Sequence, residues 1–145
     1  MTLRKSCLLV MLGLCVMCLL PGCNKTPTGI VANAVSVSLS TNANGACVQT
    51  VGGNATNYVT IDHAGGTVRW VAPNAQTSCS IHFDNTAAAC PFYSAAANQC
   101  DYSCSNGAVT SAAATGSANT TYVYGSVNIG GNSCTVGTNG IILDH

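Results

Sequence analysis

From Val35 onward, apolar and polar side chains alternate strictly: Val35, Val37 and Leu39 on one side, Ser36, Ser38 and Ser40 on the other. A period of two is that of an extended strand with one buried face. Residues 42–45 carry an Asn-Gly pair and predict a turn, and residues 47–51 are a second extended piece stopped by Gly52-Gly53. Residues 58–61 and 67–71 flank Ala64-Gly65-Gly66 as an expected hairpin, with Val68 and Trp70 on one face and Arg69 opposite. Residues 78–84 alternate again, setting Cys79, Ile81 and Phe83 against Ser80, His82 and Asp84. Residues 121–129 and 140–143 read as the last two strands, with Asn132 and Thr138-Asn139-Gly140 turning the chain between them.

Residues 85–107 show no period. They predict an irregular excursion pinned by cysteines, with room at 86–89 and 94–98 for single helical turns only. Residues 109–118, built of Ala, Thr, Ser, Gly and one Val, suit a strand edge or a loop. Short strands separated by turn residues, with no sustained helical period, predict an all-β fold, a two-sheet sandwich.

The N-terminal stretch is apolar in another way. Arg4 and Lys5 precede an uncharged run over residues 7–20, a length that suits a signal peptide and falls short of a comfortable bilayer span. Leu20-Pro21-Gly22-Cys23 follows and resembles a bacterial lipobox. The resemblance implies that residues 1–22 are a lipoprotein signal peptide cut before Cys23. It also implies that the Cys23 thiol is diacylated and that the new N-terminus is usually acylated too. Residues 23–29 then form the lipidated cysteine and a short tether, and residues 30–145 a single domain. Asn24, in place of Asp, is similar to lipoproteins sorted to the outer membrane. The expected location is therefore the bacterial cell envelope, anchored at the outer membrane on its periplasmic or its surface side.

Beyond the signal the chain is poor in large apolar side chains. One Trp, two Phe and five Tyr serve the whole domain, and Met1, Met11 and Met17 all lie in the signal. Charge is scarcer still: Lys25 and Arg69 against Asp62, Asp84, Asp101 and Asp144, with no Glu. No basic footprint for nucleic acid exists, and no polybasic patch to supplement a lipid on anionic membranes. Solubility falls to Asn, Thr, Ser and Gly.

Cysteine supplies what a modest core lacks. Apart from Cys23, the domain carries Cys47, Cys79, Cys90, Cys100, Cys104 and Cys134. An even set in an exported chain predicts three disulfides, each contributing about 2–4 kcal/mol by limiting the unfolded chain. Spacing leaves the connectivity open. Cys100–Cys104 would close a very tight loop, so Cys90 with one of those two is the favoured local bridge. A metal site from Cys90, Cys100, Cys104 and a histidine matches no zinc spacing, and an oxidising compartment works against free thiolates.

Thr67-Val68-Arg69-Trp70, then Pro73-Asn74 and Cys79-Ser80-Ile81-His82-Phe83-Asp84, together resemble the middle of a cupredoxin: a Val-x-Trp strand, a short Asn-containing loop, and His-x-Val/Ile-x-Phe. Thr121-Tyr122-Val123-Tyr124 is similar to the strand before the copper loop, and Gly140-Ile141-Ile142-Leu143 to the closing strand. Cys90-Pro91-Phe92 is similar to the Pro-Phe step of cupredoxin-like domains that bind no copper. The resemblance covers about half of the mature chain and implies a Greek-key sandwich. A blue-copper site needs two His, a Cys thiolate and a weak axial ligand. This chain has Cys79 at the family's first His and Ser126 at its Cys, with no later His before the last strand. The expectation is no metal and no cofactor.

Catalytic residues are not expected either. The chain has no Gly-x-Ser-x-Gly elbow, no Glu for a carboxylate pair and no phosphate-cradling loop. His82, Asp84 and a nearby Ser would fit a triad by type, but they lie on a solvent-type face. His63 beside Asp62 and the terminal His145 read as surface histidines. Tyr122 and Tyr124 share one sheet face and read as core. The expected function is a non-enzymatic, lipid-anchored envelope module that binds or supports an envelope protein or surface ligand. The alternative is a copper-binding, electron-transfer protein of cupredoxin type.

Overall fold

The computed structural model describes residues 34–97 and 99–144. The expected signal peptide, Cys23 and tether, the first residues of the expected domain (30–33) and His145 lie outside the described residues. Twelve strands follow in chain order: β1 (Ala34–Thr41), β2 (Cys47–Val51), β3 (Asn54–Ala55), β4 (Tyr58–Asp62), β5 (Thr67–Val71), β6 (Cys79–His82), β7 (Asp101–Ser103), β8 (Ala108–Thr110), β9 (Thr120–Val123), β10 (Ser126–Ile129), β11 (Asn132–Cys134) and β12 (Gly140–Asp144). They form three ladders, ordered β3-β2-β1-β5-β8, β11-β10-β6-β7 and β4-β12-β9. The fold is the expected all-β, disulfide-stapled sandwich.

Period-two patterning sets the faces as the sequence predicts. Val37, Leu39, Val68, Trp70, Cys79, Ile81 and Phe83 are buried, while Ser38, Ser40 and Arg69 are exposed. At the first turn Asn42 Oδ1 accepts the backbone N–H groups of Asn44 and Ala46, each at 3.0 Å, and Gly45 takes a φ of 76°. That side chain does for the backbone what a longer turn would otherwise do.

Several pairings differ from the sequence reading. The segments around Ala64–Gly66 are both strands, but they do not form a hairpin. β4 runs parallel to β12 over five residue pairs, and β5 runs parallel to β1 over another five. The link is a tight corner: Asp62 Oδ1 accepts Ala64 N–H at 2.8 Å, and Gly66 N–H returns to Asp62 O at 3.0 Å. The corner sends the chain from one ladder to another. Val59 and Ile61 therefore reach the core from a different ladder than Val68 and Trp70 do.

Residues 121–129 are also divided, into β9 and β10. Tyr124 N–H bonds Asn139 O at 3.1 Å, continuing the ladder with β12, and Gly125 N–H bonds His82 O at 2.9 Å, continuing the ladder with β6. A Cβ at Gly125 would lie 3.2 Å from the His82 ring, so the backbone passes close to that side chain at the crossing. Asn132 is a strand residue rather than a turn; Gly130 and Gly131, with φ of 62° and 82°, make that hairpin. Inside the excursion at 85–107, β7 contributes Tyr102 to the core between exposed Asp101 and Ser103.

Trp70 lies at the centre of an aromatic cluster. Its ring centroid is 5.0 Å from Tyr102, 6.1 Å from Phe92, 6.4 Å from Tyr124 and 6.5 Å from Phe83. Such pairs contribute about 0.5–1.5 kcal/mol each beyond the area they bury. In a core otherwise built of Val, Ile, Leu, Ala and cystine, this cluster supplies most of the large side chains.

Three disulfides staple the ladders: Cys47–Cys134, Cys79–Cys104 and Cys90–Cys100, with Cα separations of 5.2, 4.9 and 5.9 Å. The local bridge takes Cys100 rather than Cys104, and register explains why. β6 and β7 pair Ser80 with Ser103, so the next positions along the two strands, Cys79 and Cys104, meet across the ladder. Cys104 N–H donates to Cys79 O at 2.7 Å. Cys47–Cys134 spans 87 residues and joins the first ladder to the second, beside Cys47 N–H bonded to Thr135 O at 2.9 Å. Thiol titration of the denatured, unreduced protein should find none of these six cysteines reactive. Replacing both Cys47 and Cys134 with Ala should lower stability by about 2–4 kcal/mol, read as a lower denaturant midpoint. An unchanged midpoint would mean that this bridge does not form in the protein.

Candidate functional site

The positions singled out by the copper-type comparison do not converge. Cys79 is buried and bonded to Cys104. Ser126 belongs to the other end of the same strand pair: in the β6–β10 register Cys79 faces Ile129 across the ladder, while Ser126 faces His82. The inward positions of β10 are Val127 and Ile129, so Ser126 lies on the opposite face from Cys79. A sulfur already in a disulfide offers no thiolate. Among the described residues no group of three or more His, Cys, Asp or Glu side chains is arranged to hold a metal ion.

His82 is half-exposed and flanked by two carboxylates. Its Nδ1 lies 2.5 Å from Asp101 Oδ1, and its Nε2 is 3.8 Å from Asp84 Oδ1. The sequence reading paired His82 only with Asp84. Asp101 comes from β7, which the irregular composition of its segment concealed. In a Ser-His-Asp site, one ring nitrogen meets the acid and the other meets the nucleophile. Here Asp84 stands on the Nε2 side, and Ser126 makes no hydrogen bond with the ring. Because the two carboxylates take opposite edges of the ring, they do not share one cation with it. Exposed pairs of this kind contribute little to stability.

His63 has a structural task. Its Nδ1 meets Asp144 O at 2.8 Å, and because a carbonyl only accepts, this nitrogen carries the proton. The backbone N–H of His63 donates to the same oxygen at 3.0 Å, so both hold the end of β12 beside β4.

The site with the most built-in polar chemistry is one that sequence reasoning passed over. Gln49, at an inward position of β2, is only 1% exposed. Its Nε2 donates to Asn57 O at 2.7 Å and, more weakly, to Gly140 O at 3.4 Å. Its Oε1 accepts from Tyr124 OH at 3.0 Å, and that hydroxyl accepts from Trp70 Nε1–H at 3.0 Å. The signal was present: Gln49 alternates in phase with Cys47, which makes it a polar residue on a core face. Burial pushes the Tyr124 phenol well above its ordinary value, partly offset by the Trp70 N–H. Burial also pushes Tyr102 up, to about 12; the Ala112 N–H opposes this and the Asp101 charge adds to it.

Beside this network lies a cleft of about 330 Å³, lined by Cys47, Val48, Gln49, Ala55, Thr56, Asn57 and Asn139. Asn139 is 7% exposed and donates from Nδ2 to Cys47 O at 2.8 Å. A neighbouring groove of about 270 Å³ runs along β4, bounded by Val35, Val51, Asn54, Tyr58 and Val59. The cleft is mainly polar and carries no charged side chain. The groove is mainly apolar. No protein-family model, curated protein or solved structure matches the chain.

Both the network and the buried phenols can be tested. Gln49→Leu removes both the acceptor for Tyr124 and the donor for Asn57 O, and should cost about 2–4 kcal/mol in a denaturant titration. Adding Tyr124→Phe to it should cost less than the two single changes combined, because the partners are lost together. Additive losses would show that the groups act independently. The second concerns alkaline pH. The folded phenol of Tyr102 holds its proton up to about 12, whereas the unfolded chain releases it near the ordinary value of 10.0. Above that value the unfolded state binds fewer protons, so stability falls as pH rises. The denaturant midpoint, flat on this account below about pH 10, should decline through about pH 12, and Tyr102→Phe should flatten part of the decline.

Proposed function

We propose that the chain is a non-enzymatic, lipid-anchored protein of the bacterial cell envelope, held through acylated Cys23 and presenting a β-sandwich that binds or supports another envelope component. What carries the reading is the coincidence of Leu20-Pro21-Gly22-Cys23, behind a basic and then apolar leader, with three cystines in the domain that follows. Disulfides persist in oxidising compartments, which is where a cleaved lipoprotein signal delivers its cargo. Six paired cysteines leave Cys23 as the odd thiol of the mature chain, in the position where the motif assigns the lipid. Asn24 after the acylated residue favours the outer membrane.

The polar sites support binding rather than catalysis. His82 meets carboxylates on both ring edges, and the cleft above Gln49 contains amides and hydroxyls but no titrating pair poised for proton transfer. Two or more acyl chains anchor a domain far more firmly than one. Cys23→Ser should therefore abolish incorporation of labelled palmitate and shift the protein out of the membrane fraction, with no change in the melting temperature of the domain. Equal labelling of wild type and variant would sink the anchor reading.

A further inference from the structure

The cleft between the β2–β3 hairpin and the start of β12 keeps one recessed polar atom open. Gln49 on its floor is fully engaged, as both its Nε2 and its Oε1 are hydrogen-bonded. Asn139 is engaged on one side only. Its Nδ2 donates to Cys47 O, which fixes the amide orientation because a carbonyl cannot donate. Its Oδ1 then faces away from Cys47, and no donor among the described residues meets it. No fully buried side-chain polar atom among the described residues lacks a partner, so this oxygen keeps some access to solvent, and Asn139 is one of the residues that line the cleft. At the rim Asn57 is exposed, and its side-chain amide makes no hydrogen bond among the described residues.

The lining restricts what fits. An ionised ligand would lose hydration and meet no opposite charge. An extended peptide needs a free strand edge; the edge strand here, β3, is only two residues long, and the acceptors around it are taken: Cys47 O by Asn139, Gln49 O by Thr56 N–H at 3.0 Å, and Asn57 O by Gln49. A neutral molecule carrying several hydroxyls meets both conditions, since each hydroxyl donates and accepts. Val48 and Ala55 provide apolar ground for the C–H face of such a ring. The volume of about 330 Å³ is at the small end for ligand sites and suits a single ring. The Cys47–Cys134 bridge and the Gln49 network hold the walls in place, so binding orders little that is not already ordered.

We propose that this cleft is a binding site for a neutral saccharide, with Asn139 Oδ1 as the deep acceptor and Asn57 as the rim amide. The assignment rests on the binding-module reading above and names its ligand class. The test is a chemical-shift titration of the mature lipidated chain in phosphocholine-headed micelles, which carry no sugar. The probes are D-glucose, D-galactose and N-acetylglucosamine, with glucuronate and a neutral alanine tripeptide as contrasts. At least one neutral sugar should shift the side-chain amides of Asn57 and Asn139 and the backbone of Val48, saturably. Asn57→Ala should weaken that binding by about fivefold, the loss of one hydrogen bond. Ala55→Trp, at an exposed position, should fill the cleft mouth and abolish binding while the melting temperature holds. The proposal is overturned by silence from all three sugars, by equal or tighter binding of glucuronate or the tripeptide, or by sugar binding that survives Ala55→Trp. Palmitate labelling does not involve the cleft. A chain that labels with palmitate yet ignores every sugar therefore loses the saccharide assignment and keeps the anchor.

Discussion

The buried hydrogen-bond chain from Trp70 through Tyr124 to Gln49 and on to Asn57 and Gly140 ties the first ladder to the third, beside the crossing into the second. Trp70 and Gln49 belong to the first ladder, Gly140 to the third, and Tyr124 sits where the chain passes from the third to the second. Each group is satisfied only if the next is in place, because a buried donor or acceptor left unpaired costs about 1–3 kcal/mol. A core of Val, Ala and cystine accepts many arrangements of similar energy. A polar chain with fixed donors and acceptors accepts far fewer. The network therefore selects the register in which β2, the Tyr124 crossing and the start of β12 meet, and the aromatic cluster packs around the result.

Disulfides and uncharged polar surface complete the design. With so few ionic side chains, the outer faces carry Ser, Thr and Asn, as where Asn128 Nδ2 donates to Ser80 Oγ at 3.0 Å across β10 and β6. Of the large hydrophobic residues described, only Val123 is exposed. Such a surface exerts almost no long-range field. Whatever the domain recognises must be recognised by contact and shape, which is the character of the cleft beside Asn139.

Local alternation made the strands legible, and it placed Trp70, Phe83, Tyr122 and Tyr124 inside. Partners were less legible because pairing is a long-range property. Nothing in residues 58–71 indicates that β12 will outbid the adjacent segment as partner for β4. Three-residue strands escape for a different reason: Tyr102 between Asp101 and Ser103 is one buried residue between two exposed ones, too short a run to display a period. With β7 unseen, the Asp101 contact to His82 and the Cys79–Cys104 pairing were unseen too. Cysteine spacing did narrow the local bridge to two choices. Gln49 and Asn139 were readable in principle, one as a polar residue in core phase and the other as a turn residue, but only the assembled fold shows that they meet.

The parallel pairing of β4 with β12 has a consequence for the order in which the chain can fold. β4 appears early in the sequence, yet among the described residues its only ladder partner is β12, about 80 residues further on. The Cys47–Cys134 bridge reaches across 87 residues in the same sense. Contacts this distant in sequence are slow to form, since the loop must close before any stabilising interaction rewards it. A chain emerging N-terminus first leaves β4 without this partner, and the core around Val59 and Ile61 open, until Ile141 and Leu143 of β12 arrive.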